Sequence, residues 1–152
     1  MKIISHRGNL SGPNPNQENK PSQIISAIQR GFEVEIDVWF KDKKFYLGHD
    51  EPQYDFPFEL LEKFYNKLWI HAKSFETLVT LKDIDYDGLY LNYFWHQSDD
   101  YVLTSKGYIW TFPNKSLSYN SICVKPEVYK EKPILDCAGI CTDFPIKYET
   151  NI

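Results

Sequence analysis

From Gly31 to Asp50 the chain reads GFEVEIDVWFKDKKFYLGHD. Val34, Ile36 and Val38 alternate with Glu33, Glu35 and Asp37, the period-two pattern of a strand with one apolar and one acidic face. Glu35 and Asp37 therefore point the same way. The pattern turns through charged residues, Lys41 to Lys44, and returns as Phe45, Tyr46 and Leu47, ending at Gly48-His49-Asp50, which brings an imidazole near the carboxylates. Upstream, Lys2 to Ser5 reads as a short strand that stops at His6-Arg7-Gly8, where the glycine permits a sharp change of direction. A loop rich in Asn, Pro and Gly follows, and Pro21 fits the first position of a helix with Ile24, Ile25, Ile28 and Phe32 on one stripe and Gly31 as its stop.

Beyond an aromatic loop from Pro52 to Pro57, the spacing predicts a helix carrying Phe58, Leu61 and Tyr65 on one side. Leu68 to Lys73 is a third strand, with a helix carrying Phe75, Leu78 and Val79 directly behind it. Strands alternating with helices predict a parallel sheet or barrel. From Leu89 onward the helical stripes fade, and short strands follow at Leu89 to Tyr93, Tyr101 to Thr104, Tyr108 to Phe112, Ser121 to Val124 and Gly139 to Thr142. About eight strand candidates point to a closed barrel, yet a full (β/α)8 barrel typically takes about 250 residues. The expectation is an α/β fold, a compact, trimmed (β/α)8 TIM-like barrel with helices missing in the second half, where connections such as Ser105-Lys106-Gly107 are too short for a crossover helix. It occupies a single domain, residues 1–152.

Composition narrows the function classes. A chain of 152 residues buries roughly two thirds of the surface its unfolded form exposes, and its Tyr 11, Phe 10 and Trp 4 argue against disorder. A net charge of −4 makes no electrostatic case for nucleic acid. No apolar run reaches the length of a membrane span. A strand starting at Lys2 leaves no room for a signal peptide, so the expected location is cytoplasmic. Cys123, Cys137 and Cys141 are an odd set in apolar surroundings and read as reduced core thiols.

Two carboxylates held side by side repel unless something positive sits between them, and a hard divalent cation is the usual answer. Taken singly, each polar residue has a structural explanation: His6 as a satisfied histidine at a strand end, Glu35 and Asp37 as the solvated face of an edge strand, His49-Asp50 as a turn. Their coincidence at the C-terminal ends of successive strands, the rim where barrel active sites assemble, favours chemistry.

At this point the chain resembles a known family. His6-Arg7-Gly8, Glu18-Asn19 opening a helix, Glu35-Ile36-Asp37-Val38 and His49-Asp50 are similar, in order and approximate spacing, to the glycerophosphodiester phosphodiesterase family of the phospholipase C-like phosphodiesterase superfamily. Lys73, Trp110-Thr111 and the segment Gly139 to Pro145 extend the resemblance toward the C-terminus. It implies a divalent-metal-dependent phosphodiesterase acting on a glycerophosphodiester or similar small-molecule diester. The metal, magnesium or calcium first, would be held by Glu35 and Asp37, with His6 and His49 as catalytic acid and base. Arg7 and Lys73 would hold phosphate oxygens, and Glu18 would orient His6 or Arg7. Trp110 reads either as a flat apolar wall for a glycerol or sugar moiety or as a core residue. Asp143 is left as either a supporting residue or a turn cap.

The chain departs from the family in three places. His71 stands where a further acidic ligand is usual; as a ligand it would favour manganese, zinc or cobalt, and otherwise it packs inside the barrel. The segment between His49 and the third strand is short, so selectivity for glycerol does not follow. The second half is trimmed. Two other functions stay open: a non-catalytic binding module for a phospholipid head group or phosphorylated glycan, and a lyase forming a cyclic phosphate. The sequence sets neither the oligomeric state nor the natural substrate.

Overall fold

Ten strands form one curved sheet in a computed structural model that describes residues 1–151, with side chains described to residue 149. The central strand is β2 (Glu33–Lys41), which the alternating stretch builds. Its first half lies between β1 (Lys2–His6) and β5 (Leu68–Ala72), parallel to both. Its second half runs past the end of β1 and pairs antiparallel with β3 (Lys44–Leu47), which in turn pairs with the short β4 (Tyr54–Asp55). On the far side of β1 the sheet continues through β10 (Gly139–Thr142), β9 (Ser121–Val124) and β8 (Ile109–Thr111), all parallel, and ends at the antiparallel β7 (Tyr101–Leu103). Beyond β5 lies β6 (Tyr93–Trp95). Ser105 links the two sheet ends: its backbone NH donates to the Tyr93 carbonyl at 2.9 Å, and its hydroxyl donates to the Leu91 carbonyl at 2.9 Å.

The architecture is thus a mixed-sheet half-barrel with few helices, which corrects the expected (β/α)8 barrel. Three α-helices occur among the described residues: α1 (Pro21–Gln29), α2 (Phe58–Phe64) and α3 (Phe75–Ile84). They serve the crossovers from β1 to β2, from β4 to β5 and from β5 to β6. The later parallel strands are joined by non-α-helical segments, and Ser105-Lys106-Gly107 makes the antiparallel turn between β7 and β8. Their sequences, interrupted at Pro113, Pro126 and Pro133, carry no apolar helical period that could cover a sheet face. The strand expected from Leu89 begins only at Tyr93, because Gly88 (φ 106°) and Tyr90 (φ 57°) hold the chain in left-handed backbone just before it.

Alternation along the strands divides the core in two. Val34, Ile36 and Val38 face the helices and pack with Ile24 and Ala27 of α1, Leu61 of α2 and Leu81 of α3. The other face holds Ile4, Trp69, Phe94, Trp110, Ile122, Val124 and Cys141. The helix expected behind the third strand is α3; it buries Thr77 and Leu81 and packs Leu78 against the core, while Phe75 is 75% exposed. Ser74 caps this helix by accepting the Thr77 backbone NH at 3.1 Å, and the Thr77 hydroxyl accepts the Phe40 NH at 2.6 Å, so capping fixes the rotation that turns Phe75 outward. Among the described residues, no helix is long and apolar enough to cross a membrane.

Burial sets the mutational contrast. Ile36→Ala should cost about 2–5 kcal/mol, whereas Phe75→Ala should stay within about 0.5 kcal/mol, both read from urea denaturation midpoints.

Candidate metal and acid–base centre

Strand register assembles the centre. In the parallel pairing of β1 with β2, His6 lies opposite Glu35; in that of β2 with β5, Asp37 lies opposite His71. Side chains opposite one another in a parallel pair share a face, so two ladders bring four residues from distant parts of the chain to one end of the sheet. Ligand atoms of Glu35, Asp37 and His71 all lie within 4.8 Å of one another, and all three residues are buried.

Asp37 is fully buried and held by donors from several segments. Oδ2 accepts from Asn19 Nδ2 at 2.9 Å and lies 3.0 Å from Arg7 Nε; Oδ1 lies 3.0 Å from His71 Nδ1 and 3.7 Å from Lys73 Nζ. The Asp37 backbone NH donates to Asn19 Oδ1 at 3.0 Å. Burial would raise this carboxyl, but His71, Arg7 and Lys73 together pull it well below the usual carboxylate range. Arg7 also donates to Glu18 Oε2 at 3.1 Å. Burial would lower its guanidinium, yet Asp37, Glu35 and Glu18 around it raise it above its ordinary value. Glu18 thus orients Arg7, and it accepts from Asn9 Nδ2 at 2.9 Å.

Glu35 is the opposite case. Its Oε2 is buried without a hydrogen-bond partner, and burial, followed by the charge of Asp37, raises its carboxyl above the ordinary value. An orphaned buried oxygen beside a second carboxylate and an imidazole is a donor set that fits a divalent cation. His71 adds a second indication. Its Nε2 lies 3.3 Å from the His96 carbonyl, where only an N–H is favourable, while Nδ1 faces Asp37 Oδ1 at 3.0 Å. Its two ring nitrogens thus both face oxygen atoms, one of them on the carboxylate of the cluster.

His6 is oriented by a residue the sequence left undecided. Its Nδ1 lies 2.6 Å from Asp143 Oδ1, where an N–H donates to the carboxylate, and Nε2 lies 3.9 Å from Glu35 Oε2. Asp143 also accepts from Asn9 Nδ2 at 2.8 Å and pairs with Lys125 Nζ at 3.1 Å. Burial would raise its carboxyl, but His6, Asn9 and Lys125 draw it well down. Strand pairing explains why Asp143 was hard to read: it follows β10, which lies beside β1 although the two are separated by nearly the whole chain.

His49 sits apart from this cluster. Its side chain is 46% exposed and pairs with Asp50 at 2.8 Å, and it lines a cleft of about 360 Å³ together with His71, Lys73, Trp95, His96 and Gln97. The cleft therefore joins His49 to the carboxylate centre through His71 and Lys73. Trp110, a candidate substrate wall, is instead 3% exposed and packed on Phe94, with ring centroids 4.8 Å apart. Trp95 and His96 line the cleft in its place. His96 stacks on Phe112 with centroids 4.0 Å apart, and burial and the nearby His71 lower its imidazole. The three cysteines are free; Cys123 and Cys141 are core thiols as expected, whereas Cys137 is only half-buried.

No family model, curated protein or solved structure matches this chain.

The centre generates two expectations. If Glu35, Asp37 and His71 take a divalent cation, adding magnesium, manganese or zinc raises the melting temperature of the native chain but not that of Glu35→Gln. Asp143, with its native pKa depressed, stabilises the fold fully above the unfolded carboxyl value of about 3.9, and that contribution is lost as pH falls through the lower native value. Asp143→Asn should therefore flatten the acid limb of a stability–pH curve measured by denaturant unfolding.

Proposed function

We propose that this protein is a divalent-metal-dependent phosphodiesterase of the glycerophosphodiester phosphodiesterase type, cleaving a small phosphodiester with His6 as a proton carrier. The observation that carries the reading is the pairing of His6 with Asp143 beside the Glu35–Asp37–His71 group, with Arg7 and Lys73 against the same carboxylates. Simple binding of a phosphate needs the cations but not an imidazole held in one tautomer by a buried aspartate.

Glu35, Asp37 and His71 would hold the metal, which when bound supplies positive charge to the phosphoryl oxygens and orients the diester. Asp143 would keep the proton of His6 on Nδ1, so that Nε2 accepts a proton from the attacking water while the departing alkoxide takes one from a second acid. Lys73, beside the cleft, places an ammonium where a phosphate oxygen can accept from it. Arg7, committed to Asp37 and Glu18, acts mainly by keeping the metal-binding carboxylate ionised and in place. His49, a half-exposed residue lining the same cleft, would protonate the departing alkoxide. The cleft is lined by imidazoles, an amide and an indole, which suits a polar alcohol better than an acyl chain.

Incubation with glycerophosphocholine and with bis(p-nitrophenyl) phosphate, across magnesium, calcium, manganese and zinc, is expected to give metal-dependent product. His6→Ala should lower kcat by about 10²–10⁴-fold with folding unchanged. Phosphorus NMR of the product separates hydrolysis from internal attack, which would leave a cyclic phosphate. Tight binding of a diester without turnover under every metal would replace the enzyme by a binding module.

A further inference from the structure

We propose that Lys125 and Glu127 form a bracket that positions Asp143 against His6, so that the tautomer of the proton carrier is set from a loop outside the centre; this rests on reading His6 as that carrier. The bracket follows β9 directly. At Lys125 the chain turns into left-handed backbone (φ 48°, ψ 61°), a conformation that costs a non-glycine residue free energy, and then starts a short helical turn, Pro126–Val128. The Lys125 NH donates to the Cys141 carbonyl at 2.6 Å, continuing the β9–β10 pairing to the point where the helical turn begins.

Three side-chain contacts then grip Asp143 and its neighbour. Lys125 Nζ lies 3.1 Å from Asp143 Oδ2. Glu127 Oε1 accepts the Asp143 backbone NH at 2.9 Å, and Glu127 Oε2 accepts the Thr142 hydroxyl at 3.0 Å. Glu127 is exposed, yet both of its oxygens are spent on the two residues that end β10. The division of labour on Asp143 is what makes Lys125 matter. His6 and Asn9 both use Oδ1, whereas Lys125 is the partner recorded for Oδ2 among the described residues. Glu127 therefore sets where the aspartate backbone lies, and Lys125 sets the rotation of its carboxylate about the Cβ–Cγ bond. Without the ammonium, the carboxylate can turn Oδ1 away from His6 Nδ1, and the proton on that ring is no longer confined to one nitrogen.

Lys125 and Glu127 are positioning residues on this account, and the test reads the imidazole as well as the rate. In full-length protein with 15N-labelled histidine, at one fixed pH, the wild type should show His6 with Nδ1 protonated and Nε2 bare. Lys125→Met keeps the stem and the same backbone demand but removes the charge. It should give averaged ring-nitrogen shifts and lower kcat by about tenfold with KM nearly unchanged. Lys125→Arg should restore both. Glu127→Ala, at an exposed position with little risk to folding, should move the His6 signals in the same direction and serves if Lys125→Met does not fold. Unaltered His6 ring signals in the folded variants overturn the proposal, whatever the activity. Altered signals in a protein whose wild type turns over no diester leave the bracket standing and remove the phosphodiesterase reading instead.

Discussion

Asp37 is a charge buried at the middle of the sheet, and the arrangement of the surrounding chain follows from keeping it ionised there. Removing a carboxylate from water costs several kcal/mol unless cations and hydrogen bonds replace the lost solvent. Here the replacements come from the end of β1 (Arg7), the entry to α1 (Asn19), β5 (His71) and the residue after it (Lys73). One buried ion thus adds side-chain ties to segments already joined by backbone hydrogen bonds. Two of the residues involved, Arg7 (φ 55°) and Asn19 (φ 61°), sit in left-handed backbone, and their carbonyl and amide are joined by a hydrogen bond of 3.0 Å. Such strain persists only where surrounding contacts over-determine the conformation.

Glu35 shows what the same environment leaves unsatisfied. It lies two residues away on the same face and is likewise buried, but His6 beside it is held by Asp143, and Arg7 and His71 are held by Asp37. An oxygen without a partner and a carboxyl pushed up by burial mark a place where the fold has not been optimised for its own stability. Proteins tolerate such a place when a ligand completes it. The contrast between a satisfied and an unsatisfied carboxylate, side by side, separates this centre from an ordinary structural ion-pair network.

Much of this was legible in the residues. The alternation around Glu35 and Asp37 located β2 and put both carboxylates on one face, Pro21 opened α1, and the spacing of charged residues located the turn into β3. The failures have identifiable causes. Phe75, Leu78 and Val79 locate α3 but not its rotation, which a serine cap and a threonine hydroxyl bonded to β2 set, and neither shows in apolar periodicity. Trp110 fits a substrate wall or the core equally well by residue type, and Phe94, packed against it across the interior, makes it core. The closed barrel was inferred from counting strands, and a count does not say whether the segments between them can cover a sheet face.

Taken alone, the order of residues determined which positions alternate, where helices open, and that two acids and several imidazoles fall at strand ends, because these properties depend on neighbours a few residues apart. Tertiary structure alone decided the register of β1, β2 and β5, the placement of β10 beside β1, and hence the meeting of His6 with Asp143 and of Asp37 with His71. Strand pairing is a relation between segments with no fixed separation along the chain. A shift of one residue would send every one of these side chains to the opposite face without altering any local pattern.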